Sequence, residues 1–240
     1  MTTTSHPLRQ LRLVALNIDG VLLNDTFSPV IHRFLTSRGV RYTAELERAL
    51  FSQPQLAAAR ASGLDGSPEE LVKEYFRERE EYLAAHPVRL LDGTEELLAR
   101  LDRMREQQDG RLRLVCYGGL ERHHFDRHMG ALTRYFDEPG YVCTNDFRPG
   151  IAEITGDICG VRPDEALFVD DVARVAEAAR ELGVAFIGLP SSYEHSYQRE
   201  LMREAGVRHL VSSPGEIDGA LLRAVDEEAA AGTVWQHTPS

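Results

Sequence analysis

Three short apolar runs, each ended by glycine or aspartate, constrain this chain more than any other feature. LRLVALNI (11–18) runs into Asp19-Gly20, RLRLVCY (111–117) into Gly118-Gly119, and ALFV (166–169) into Asp170-Asp171. Each pattern predicts a buried parallel strand and then a turn, because the run is apolar on both faces and punctuated where it stops. VAFIGL (184–189) and HLV (209–211) are two further candidate strands. Helical patterns fill the intervals at 94–107, 120–134, 150–159, 172–182, 196–205 and 215–229. Strands alternating with helices of this length predict an α/β fold with a doubly wound parallel sheet. In such sheets the reactive groups gather at the carboxyl ends of the strands. Here three of those ends read DG, GG and DD.

The alternation stops between residues 25 and 88. That stretch holds helical patterns at 28–38, 43–51, 54–62 and 67–85, the last opened by Ser67-Pro68-Glu69-Glu70. A serine N-cap with proline in the first turn is a good helix start. The stretch reads as an all-helical insert whose aromatics (Phe34, Tyr42, Phe51, Tyr75, Phe76, Tyr82) mostly form its own core, with one or two facing a ligand. PVRLLDGTEELLARL (87–101) brings the chain back to the sheet. The expected division is an α/β core of 1–24 and 89–228, a helical cap of 25–88, and a frayed tail of 229–240.

Composition narrows the function classes. The 240 residues are 42% apolar and 27% charged, enough to bury a core and too apolar for a disordered chain. Three spaced cysteines exclude a disulfide scaffold and fit a reducing compartment. No run approaches the roughly 18 apolar residues of a membrane span, and MTTTSHPLRQ lacks the apolar region of a secretory signal, so the expected location is cytoplasmic. With 27 basic against 38 acidic residues, a net charge of -11, an extended nucleic-acid surface is not expected. Lys73 is the only lysine; the other basic residues are arginines.

The order strand-NxDG, helical insert, strand-CYGG, RPG before a helix, strand-DD strongly resembles the haloacid dehalogenase (HAD) superfamily of phosphatases and phosphotransferases. LVALNIDGVLLND (13–25) is similar to the first motif, and residues 137–184 to the third and fourth. The resemblance spans roughly residues 11 to 225 and implies a Rossmann-like core with a cap that closes over a small-molecule site. It implies that Asp19 is a general acid/base, that Asp170, Asp171 and Asp19 lie at an Mg²⁺ site, and that Arg148 stands where the family has a lysine. Cys116 or Tyr117, followed by Gly118, falls where the family binds the phosphoryl group through serine or threonine. Asn17 occupies the position of the nucleophilic aspartate. A neutral amide cannot form a phosphoaspartate and is a poorer Mg²⁺ ligand than a carboxylate.

Three readings follow. In the leading one the chain is an enzyme for a small phosphorylated or carboxylated metabolite. Asp19 does non-covalent acid/base chemistry there, Asn17 hydrogen-bonds and Arg148 clamps an anion in bidentate fashion. In the second it is an Mg²⁺-dependent phosphatase represented by an inactive or engineered Asp-to-Asn form. In the third it is a catalytically dead binding or regulatory protein. Simpler alternatives stand beside these residues. Asp19-Gly20 could be a turn, Asp170-Asp171 a helix start, and Cys116 a buried small hydrophobe as easily as a reactive thiol. RHHFDRH, with His124 and His128 four apart, reads as a solvated helix face rather than a metal site.

Overall fold

The computed structural model describes residues 8–236. Its sheet comprises β1 (Leu13–Asn17), β2 (Arg113–Gly118), β3 (Tyr141–Cys143), β4 (Ala166–Asp170), β5 (Ala185–Gly188) and β6 (His209–Leu210). All neighbours are parallel, in the order β3-β2-β1-β4-β5-β6. From β1 the chain builds outward through β2 and β3, then returns to lay β4, β5 and β6 on the other side. The switch point therefore falls between β1 and β4, where a crevice opens at the strand ends. Register sets Asn17 beside Tyr117 and Leu16 beside Val169, so the three motif-bearing ends meet there.

Helices α1 (Ser28–Thr36), α2 (Ala44–Leu50), α3 (Gln55–Ala61) and α4 (Pro68–Ala85) follow β1 as the insert. Thr43 and Ser67 cap α2 and α4 by accepting from the N–H groups of Leu46 and Glu70, each at 3.2 Å. The core helices are α5 (Thr94–Glu106), α6 (Arg122–Met129), α7 (Ala173–Leu182), α8 (Gln198–Glu204) and α9 (Gly219–Ala231). Strand alternation divides the core in two. Val14, Leu16, Leu114 and Val169 pack with Leu97, Leu101 and Leu222, while Leu13, Ala15, Val115 and Phe168 pack with Val175, Ala179 and Met202. Cover on both faces is why these strands read as continuous apolar runs.

The elements depart from expectation in three places. β3 was not foreseen; it is three residues long, behind the Pro139-Gly140 turn. The helix expected at 120–134 is α6 followed by a 3₁₀ segment, Gly130–Tyr135, and the one at 150–159 is mostly a π-helical turn, Glu153–Ile158. The tail is ordered further than expected. α9 runs to Ala231, Gly232 closes it in the left-handed region, and Trp235 Nε1 donates to Val184 O at 2.9 Å. Residues 237–240 of the expected tail lie outside the described residues.

The loop after β5 clasps the insert. Ser191 Oγ donates to Asp25 at 2.6 Å, Ser196 Oγ donates to the buried Glu47 at 3.0 Å, and the Tyr193 hydroxyl meets His32 Nδ1 at 3.1 Å. The rings of His32 and His195 stack with centroids 4.3 Å apart. No helix of the described residues is long and apolar enough to cross a membrane.

Candidate active site

The floor of the site begins at the end of β1. Asn17 is buried and fully engaged: Oδ1 accepts from the Ile18 N–H at 3.0 Å, while Nδ2 donates to Asp19 O and Asp171 Oδ1, each at 2.9 Å. These partners fix the amide's sense, since a flipped amide would face two acceptors with its oxygen and the Ile18 N–H with its nitrogen. Gly20 lets Asp171 approach. A Cβ there would stand 2.2 Å from Asp171 Oδ2, and its φ of +84° suits glycine.

The Asp19 carbonyl and the Asp171 carboxylate are among the oxygens the family resemblance would give to Mg²⁺, and one amide nitrogen satisfies both. Asp170, the other acid, already accepts from the Tyr117 hydroxyl at 2.5 Å and the Val172 N–H at 2.8 Å. Mg²⁺ needs oxygen ligands directed inward on the cation. The Asn17 amide presents N–H donors there instead, so these residues do not fit the ion. Burial, then the neighbouring Asp170 charge, holds the Asp171 carboxyl well above the usual range, against the Asn17 hydrogen bond. Burial raises Asp170 as well, opposed by its hydrogen bonds from Tyr117 and Val172.

Asp19 carries the free chemistry. His124 Nε2 lies 2.9 Å from Asp19 Oδ1, and both side chains are buried. When Asp19 is a carboxylate it can only accept, and Nε2 is then the donor. Among the described residues this contact engages one carboxylate oxygen, and Asp19 itself lines the cavity above. The solvated helix face expected for RHHFDRH is corrected for His124, because α6 starts just after the β2 end and turns that residue inward. His128 packs beside it, ring centroids 4.8 Å apart, and burial followed by His124 lowers its pKa.

Arg148 reaches the floor from the loop after β3. A Cβ on Gly119 would stand 2.1 Å from Arg148 Nη1, so the bare backbone of Gly119 is what admits the guanidinium. Arg148 Nε is buried without a partner, and no hydrogen bond or ion pair engages the side chain among the described residues. Cys116 and Tyr117 are placed differently. Cys116 lies in the core against α6, where burial pushes its thiol up, which makes it the small hydrophobe rather than a reactive thiol. Tyr117 holds Asp170, and neither residue lines the cavity; Gly118 does not line it either, and Gly119 does.

Above this floor lies a cavity of about 180 Å³. Asn17, Asp19, Gly119, Arg148 and Asp171 line its base. Its roof is the insert, with Phe34, Phe51, Tyr75 and Phe76 among the lining side chains, so four of the six aromatics named above, and Phe27 besides, face the cavity where one or two were expected. The Tyr75 and Ser52 hydroxyls are buried there without partners.

No protein-family model and no curated protein sequence matches the chain. Solved structures do. A haloacid dehalogenase-like protein from Agrobacterium tumefaciens is 21% identical over 89% of this chain and 98% of its own, with a TM-score of 0.60. A β-phosphoglucomutase from Clostridium difficile is 13% identical over 92% and 99%, with a TM-score of 0.64. A predicted phosphoglycolate phosphatase from Haemophilus somnus is 18% identical over 88% and 97%, with a TM-score of 0.58. At these identities the likeness is one of fold. The chain has the capped, Rossmann-like fold of the haloacid dehalogenase superfamily, as its motif order implied.

Proposed function

We propose that the protein is an enzyme that moves a proton on a small anionic metabolite without forming a phosphoenzyme. The observation that supports this most is the buried Asp19–His124 pair, 2.9 Å apart, at the base of a cavity that also holds an unpartnered arginine. Asp19 takes or gives the proton. His124 orients its carboxylate and stabilises its charge, in the manner of a base held by a second group. Arg148 binds the substrate's acidic group through paired N–H donors. Asn17 holds Asp171 and the Asp19 backbone in place, a structural post where the family has a nucleophile. The mainly apolar roof lowers the polarity around these groups, and its closure on a ligand would strengthen each of these interactions.

A second reading draws on the neighbours, whose names include a phosphatase and a phosphomutase. In it Asn17 stands in place of the nucleophilic aspartate of an Mg²⁺-dependent phosphatase, in an inactive or engineered form. One comparison separates the two. The parent, Asp19→Asn and Asn17→Asp are incubated with extracts depleted of macromolecules, and metabolite loss is followed by mass spectrometry. Phosphate release from a panel of phosphomonoesters is measured in parallel with Mg²⁺. The expected result is consumption of an acid by the parent, lowered about 10²- to 10⁴-fold by Asp19→Asn. Phosphate release by Asn17→Asp with Mg²⁺, beside a parent that consumes nothing, overturns the proposal in favour of the second reading.

A further inference from the structure

The floor and the roof make different demands on one ligand. Arg148 has five N–H donors in a planar fork. Its Nε is buried and unsatisfied, and leaving such a group unpaired is costly. Among the described residues no acid makes an ion pair with it; the buried Asp170 feels its charge, but that carboxyl is engaged by the Tyr117 hydroxyl and the Val172 N–H. The partner it lacks is an anion with two oxygens in a plane or on a face. The roof is mainly apolar. Phe34, Leu50, Leu71 and Phe76 line it with the Ser52 and Tyr75 hydroxyls, so it offers a ligand much apolar surface and few hydrogen-bonding groups, a poor match to a polyol whose hydroxyls would all lose their water. Room is also limited: apolar cavities of about 150 Å³ accept a benzene-sized guest, and this one is about 180 Å³. The buried Tyr75 hydroxyl has no protein partner, so the roof faces a ligand and not only itself.

Resting on the reading of the site as a small-acid enzyme, we infer that its substrate is amphipathic. It combines an acidic head, carboxylate or phosphate, seated on Arg148 with a compact apolar body, about one aromatic ring or a branched chain, under Phe34, Phe51 and Phe76. The acidic head orients the molecule and the apolar body supplies the affinity, which places the atoms between them over Asp19. Polyhydroxylated phosphates, which bring more hydroxyls than the roof can pair, are expected to bind less tightly.

Isothermal titration calorimetry tests this without turnover. The probes are phenylacetate, acetate, phenyl phosphate, inorganic phosphate, benzyl alcohol and ribose 5-phosphate, each against the parent chain. Phenylacetate or phenyl phosphate is expected to bind about 10- to 100-fold tighter than the corresponding bare anion, the effect of burying a ring. Which of the two binds better identifies the head. Arg148→Met is expected to erase the advantage of the acids over benzyl alcohol, with the chain's thermal unfolding retained as the folding control. Asp19→Asn is expected to keep the binding order. Failure of the proton-transfer reading therefore shows as unchanged turnover in Asp19→Asn, and failure of the ligand class as a changed binding order. Equal binding of phenylacetate and acetate, tighter binding of ribose 5-phosphate, or no binding of any probe overturns the inference.

Discussion

The floor and the roof of the cavity are built on opposite principles. The floor sets Asn17, Asp19 and Asp171 at strand ends, where backbone and side-chain partners hold them, and brings Arg148 in from the loop after β3: Asn17 alone makes three hydrogen bonds. The roof places aromatic and aliphatic groups on four helices and is tied to the core by side chains such as Asp25, His32 and Glu47. Strand ends in a sheet covered on both faces cannot shift without breaking register, so they suit chemistry that needs fixed distances. A helical lid can change shape at modest cost, which suits ligand entry and selection. In the proposed function, chemistry belongs to the strand ends of the core and selectivity to the inserted helices.

The largest effect that would break this division is expected on the floor. His124→Ala leaves Asp19 Oδ1 without its donor, and kcat on the acid identified in the depletion assay should fall by about 10²-fold. KM should change little, because His124 does not line the cavity. His124→Gln, which keeps an N–H for Asp19, should recover part of the loss. A loss in KM alone, with kcat unmoved, would mean that His124 only shapes the pocket and that the floor does not act as a unit.

A second comparison sharpens the contrast in stability. Leu16 lies in the sheet core with no exposure, and Leu16→Ala should cost about 2–5 kcal/mol in urea unfolding. Phe76 is only half-buried and lines the cavity, so part of its ring lacks the dense contacts that make core truncations costly. Phe76→Ala should therefore cost less than about 2 kcal/mol, below the usual range for a buried phenylalanine, while weakening phenylacetate binding. Equal losses for the two variants would show the roof to be self-packed core.

The same contrast decided what could be read from the chain. That Asn17, Asp19 and Asp171 would come together was legible because strand ends fall at fixed points in a local pattern, apolar run then punctuation; Arg148, in the loop after the unforeseen β3, was reached only through the family's motif spacing. His124 was not. Its segment, RHHFDRH, is polar on nearly every side, and only the position of α6 after the β2 end turns one histidine toward Asp19; the signal available was the proximity of GGL to the helix start. The roof failed for another reason: aromatics at helical spacing predict a buried face without saying whether that face meets protein or ligand. β3 was too short for periodicity to register. The tail was misread because EEAAAG looks polar and small, yet Gly232 stops the helix and Trp235 docks on Val184.

The smallest expected effect lies at the clasp between roof and core, and its sign opposes that of the floor. His32 contacts Tyr42, Tyr193 and His195, with Glu194 close enough to favour its charged form. Burial first, and His195 second, lower its pKa below the free value of 6.5. The unfolded chain therefore binds this proton more readily, so stability from His32 falls as pH drops below about 6.5 toward the lowered folded value. Asp170 and Asp171 are raised in the folded state, so their contribution is complete below the free value of 3.8 and declines as pH rises through the folded values. Thermal unfolding across pH 4 to 7 should then carry two opposed slopes. His32→Gln should reduce the loss on the acid side of 6.5, leaving the part due to His128, whose pKa is also lowered, and should leave the carboxyl slope intact. If the acid-side slope is unchanged in that variant, the clasp histidine has no part in the acid response, and roof and floor do not titrate as separate regions.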